Sequence, residues 1–84
     1  MTNTLPTPEV IYADAIFSGY GYQKVTVQLM ANGETKKFSA ITNYMPGIDA
    51  ANDLDGQERY NALYELIESD IEEDELIWLH SISD

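Results

Sequence analysis

The chain has no cysteine, one histidine, one arginine and only three lysines among its 84 residues. Without cysteine there are no disulfides and no thiolate metal sites. Four basic side chains stand against fifteen acids, a net charge of −11. So few cations cannot neutralise many phosphates, and direct binding to nucleic acid or to an anionic membrane is not expected. Long apolar stretches are missing too. The run Leu76–Leu79 stops at four residues, far short of the ~20 that cross a bilayer. No N-terminal segment couples a basic start to an apolar run in the manner of a secretory leader. A soluble, cytoplasmic protein is the expectation.

What is present argues for a packed core. Apolar residues make up 44% of the chain, with six tyrosines, two phenylalanines and one tryptophan, too many for a disordered polyanion. Residues 1–8, with Pro6 and Pro8, read as a loose lead-in, and 9–84 as a single domain. Glu9–Phe17 is the first strand. Both of its alternating residue sets are largely apolar, which predicts a central strand or one covered on both sides. The Gly19-Tyr20-Gly21-Tyr22 segment suits a turn with positive φ.

Tyr22–Met30 and Thr35–Thr42 are the next two strands, joined through Asn32-Gly33, a strong signal for a tight hairpin. Centring the turn there sets Val25, Val27 and Leu29 against Ala40, Phe38 and Lys36, and Thr26 and Gln28 against Ser39 and Lys37. One face comes out apolar and the other polar, as a correct register requires. The chain then reads as irregular to about Leu54.

Asp55 to about Asp70 reads as a helix opened by an Asp55/Glu58 capping box, with Tyr60, Leu63, Tyr64, Ile67 and Ile71 as its buried stripe. After the acidic link Glu72-Glu73-Asp74-Glu75, residues Leu76–Ile82 read as a last strand, from their β-favouring composition and short length. The expected fold is therefore α+β: a small antiparallel sheet in the order β-β-β-α-β, with one amphipathic helix packed on one face.

Candidate chemistry is sparse. Asp49–Gly56 looks like a calcium loop, but alignment on Gly56 puts Ala51 and Ala62 where the first and twelfth ligands belong. His80, on an alternating strand, would share a face with Trp78 and Ile82 as a partly buried structural residue. The glycines near Tyr20 lack the lysine and following helix of a phosphate loop. No catalytic residue, metal site or cofactor is assigned. Tyr60 and Tyr64 read as core. Tyr12, Tyr20, Tyr22 and Tyr44 sit near strand ends and turns, where they either cap the core or form a contact surface.

The charge is the outstanding feature. Residues 1–48 carry three acids and three lysines, whereas 49–84 carry twelve acids against Arg59 alone. Such segregation either serves solubility as a solvated face or forms a surface for a basic protein, with Glu65, Glu68, Asp70, Glu72, Glu73, Asp74 and Glu75 as its contacts and Tyr20 or Tyr44 as apolar anchors. Carboxylates on successive helix turns lie about 5–6 Å apart, so the face can imitate a phosphate backbone.

In size, composition and charge layout the chain resembles the small acidic proteins that phages and mobile elements direct against host defence, such as anti-CRISPR and anti-restriction proteins. It resembles bacteriocin immunity proteins in the same respects. No motif specific to either group is present, and no residue role is carried over. The resemblance implies a non-enzymatic inhibitor of a basic nucleic-acid-handling protein, in the host cytoplasm if phage-encoded, or an antidote to a nuclease toxin. Two other classes stand beside it. One is a small assembly subunit using an exposed sheet edge. The other is an enzyme with a site between the Gly19–Tyr22 turn and the Met45–Asp53 segment.

Overall fold

The computed structural model describes residues 5–83; residues 1–4 of the lead-in and residue 84 lie outside the described residues. Three strands, β1 (Glu9–Gly19), β2 (Tyr22–Ala31) and β3 (Glu34–Thr42), are followed by α1 (Met45–Asn52) and α2 (Gly56–Ile82). The class is α+β, but the order is β-β-β-α-α. No strand follows the long helix among the described residues.

The sheet is an antiparallel meander with β2 in the centre. Asn32 and Gly33 both adopt positive φ, 54° and 80°, as a type I′ turn requires. Its register is the expected one, with Val27 opposite Phe38, Val25 opposite Ala40 and Thr26 opposite Ser39. Burial alternates along β2: Val25, Val27, Leu29 and Ala31 are buried and the residues between them are not. β1 departs from expectation. It is an edge strand with a bulge at Ile11 and a second irregularity at Ser18. Only Val10 and Ala13 are buried along it, and its distal end is open, Phe17 being 72% exposed. Its two apolar residue sets reflect an uncovered end, not a doubly covered strand.

The segment expected to be irregular contains α1. Pro46 sits in its first turn, where a fixed φ and a missing N–H cost nothing. Ile48 and Ala51 are its buried residues. The larger correction concerns Leu76–Ile82, which continues α2. No glycine or proline follows Gly56, so nothing terminates the helix at Asp70. Ile71, Trp78 and Leu79 extend the buried stripe begun by Leu63 and Ile67. Helical phase also moves His80 about 200° from Trp78, and it is exposed instead of sharing a face with Trp78. Asp55 is the N-cap residue in extended conformation, but its side chain makes no capping hydrogen bond, so the capping box is not formed.

The buried residues of the sheet, α1 and α2 form one apolar cluster. Phe38 and Trp78 meet edge to face, ring centres 5.8 Å apart. No described helix is long and apolar enough to cross a membrane.

Candidate protein-binding surface on α2

Because the acidic link is helical, all seven expected contact carboxylates lie on one element, α2. At 100° per residue they do not form a single stripe. Glu65, Glu68 and Glu72 run down one flank, and Glu65 and Glu68 border a recess shared with Thr7–Val10. Asp70 and Asp74 run down the other, and Asp74 faces Lys36 and Lys37 across a groove beside β3. Glu73 points away from both. All of these are exposed.

Glu75 is different. It is half-buried, and the Tyr64 hydroxyl donates to its Oε1 at 2.6 Å. Burial, then the bond to Glu75 and the nearby Glu68 carboxylate, hold the Tyr64 phenol well above its ordinary value. The bond also shapes the helix. In a straight helix eleven residues rise about 16 Å, more than these two side chains span, so α2 bends between Tyr64 and Glu75. No proline or glycine lies there. The bend accompanies the wrapping of α2 from β1 toward β3, as helices curve around a core. Glu75 thus holds the bend and is removed from the set of free carboxylates.

The one cation of this half, Arg59, does not neutralise the surface. Its Nη1 donates to the Ala13 carbonyl at 3.3 Å and its Nη2 to Asn52 Oδ1 at 3.4 Å. Gln57 Nε2 likewise donates to the Val10 carbonyl at 2.7 Å. Sequence reasoning missed both as ties from α2 to the edge of β1; the only prior signal was that they open the helix. With Arg59 occupied, residues 65–74 present six exposed carboxylates over about 14 Å of helix. That is one charge per ~2.3 Å, against one per ~1.7 Å of duplex DNA.

The expected tyrosine anchors lie elsewhere. Tyr20 occupies the β1–β2 turn, fully exposed. Tyr44 precedes α1, its ring beside Gly47. Neither borders the recess or the groove flanked by the carboxylates. Tyr20 instead belongs to an apolar end of the sheet with Ile16, Phe17, Tyr22 and Ile41, all exposed. Tyr60 and Tyr64 are half-buried against the core, and Tyr12 packs on Tyr60 with ring centres 5.6 Å apart. The Tyr12 hydroxyl donates to Asp14 Oδ2 at 3.1 Å, and that bond foremost raises its phenol above the ordinary value.

A shallow recess of about 260 Å³ at this end is lined by Ser18, Gly19, Tyr20, Tyr22 and Ile41. Neither His80 nor a carboxylate lines it, and the Met45–Asp53 segment paired with it in the enzyme reading is α1. Neither a protein-family model, nor a curated protein, nor a solved structure matches this chain.

Proposed function

We propose that the protein is a small non-enzymatic inhibitor that binds a basic, nucleic-acid-handling protein through the exposed carboxylates of α2. In this reading α2 packs on the apolar face of the sheet and turns its acids to solvent, where they stand in for a phosphate backbone. The supporting observation is the charge density of residues 65–74, of the same order as that of duplex DNA; Arg59 is tied to β1 and Asn52, and only Asp74 faces lysines, Lys36 and Lys37, across the groove beside β3. Like charges packed this closely destabilise a helix, so a binding role gives the arrangement a use. A field of this sign also speeds encounter with a basic surface and makes association salt-sensitive.

The contact set is Glu65, Glu68, Asp70, Glu72, Glu73 and Asp74. Glu75 serves the bend, and Tyr20 belongs to a separate surface. The test is capture of basic nucleic-acid-binding proteins by the immobilised chain. Capture should fall at high salt and on addition of duplex DNA. It should also fall when Glu65, Glu68, Glu72 and Glu73 are all changed to Gln. Undiminished capture by that variant would remove the basis of the proposal.

The exposed Ile16, Phe17, Tyr20, Tyr22 and Ile41 favour a second reading, an assembly subunit that uses the apolar end of its sheet. Sedimentation tests it: a strict monomer with no shift on Phe17→Ser counts against self-assembly through that end.

A further inference from the structure

Lys36 breaks the pattern of β3. Its register places it on the face that α2 covers, opposite Leu29 and two residues before Phe38, both of which are buried. Val25, Val27 and Ala40 continue that face as apolar residues. Places where a local pattern is broken are where function or strain is expected. The Lys36 side chain is exposed, and its Nζ stands 6.0 Å from the centre of the Phe38 ring. It therefore lays an apolar stem over the core and keeps its charge in water.

Lys36 borders a groove of about 430 Å³ between β3 and α2. Lys37 and Phe38 line it from β3, and Asp74, Ile77 and Trp78 line it from α2. Two of the three lysines of the chain thus meet here against one lining carboxylate, a local net of +1. The apolar part is Phe38 and Trp78, in edge-to-face contact, with Ile77 beside them at 62% exposure. A cavity of this size, with an apolar wall and a few polar groups, is what small-molecule sites are made of.

We propose that the groove binds a small amphipathic anion, one acid group carried on an aromatic or branched apolar body. The acid group lies between the ammonium groups of Lys36 and Lys37. The body rests on Phe38, Trp78 and Ile77. Asp74, at the α2 wall, penalises a second negative charge. The net charge of −11 does not set the sign of the ligand, because exposed charges more than about 8 Å away are largely screened at physiological ionic strength. Glu65 and Glu68 border the recess on the other flank of α2, and Asp70, one turn before Asp74, does not line the groove. This site stands apart from the reading of α2 as a surface for a basic protein and shares only Asp74 with it.

The test uses the full chain and three probes with one ring and different heads: naphthoate, naphthalenemethanol and naphthylmethylammonium. Binding is followed by nuclear magnetic resonance at the backbone amides of Lys36–Ser39 and the Trp78 indole N–H. Naphthoate should bind about tenfold more tightly than the alcohol, the scale of one charge-assisted contact, and the ammonium probe most weakly. Lys36→Gln with Lys37→Gln should abolish that preference while the spectrum stays folded. Asp74→Asn should tighten naphthoate severalfold, and Ile77→Ser should weaken all three probes alike. Equal binding of naphthoate and the alcohol, preference for the ammonium probe, or shifts at Tyr20–Tyr22 instead of the groove overturns the proposal.

Discussion

At the scale of single residues, three positions carry more than their identity suggests. Gly47 lies where α1 meets α2, and a Cβ there would stand 2.3 Å from Leu66 Cδ2 and 2.7 Å from Tyr44 Cδ2. Gly47→Val should therefore lower stability by about 1–3 kcal/mol, the usual cost of overpacking, read as a drop in the thermal midpoint. Tyr20 holds φ +52° with its side chain fully exposed, and left-handed backbone costs a residue with a Cβ roughly 1–2 kcal/mol. Asparagine tolerates that region better, so Tyr20→Asn should raise stability by up to about 1 kcal/mol. A loss in the melt would show that the ring packs after all.

Tyr64 keeps its proton more tightly in the folded chain than in the unfolded one, through burial and then Glu75 and Glu68. Above pH 10 the unfolded phenol ionises while the folded one does not, so the unfolded state binds fewer protons and stability falls as pH rises. Tyr64→Phe should flatten that alkaline decline, followed by denaturant melts across the range. It should also cost about 1–3 kcal/mol at neutral pH through the lost bond to Glu75.

At the scale of elements, the hairpin was legible and the last helix was not. Asn32-Gly33 sets a turn by backbone chemistry alone, and a period of two then decides every cross-strand pair of β2 and β3. Leu76–Leu79 is a short apolar run whose periodicity serves either structure. Composition favoured a strand, whereas the absence of any breaker after Gly56 favoured a helix, and tertiary packing of Trp78 and Leu79 decides it. The acidic run is thus a helix interior. Glu73→Pro should cost about 3 kcal/mol or more and visibly reduce helical circular dichroism, which a loop at that position would not show. The position of β1 at an edge was equally hidden, since strand order depends on partners and not on local pattern.

At the scale of the whole molecule, the charge opposes folding. Within residues 65–75 five carboxylate pairs stand three or four residues apart: Glu65–Glu68, Glu68–Glu72, Asp70–Glu73, Asp70–Asp74 and Glu72–Glu75. At ~0.2–0.5 kcal/mol each their repulsion sums to about 1–2.5 kcal/mol. Screening it with salt should raise the thermal midpoint by about 4–8 °C per kcal/mol recovered at this chain length. The same salt should weaken capture of a basic partner, so stability and binding move in opposite directions. A protein whose acids served only solubility would show the first effect without the second.

The amino-acid pattern by itself determined the α+β class, the β2–β3 register, the start of α2 and the confinement of acidity to the second half. All of these rest on local backbone preference or on the placement of charge along the chain. The tertiary structure alone decided that α2 runs to Ile82, that Tyr64 and Glu75 join across a bend, that Arg59 is tied to β1, and that β1 lies at an edge of the sheet. Each of these is set by contacts between residues far apart in the chain, about which local pattern carries no information.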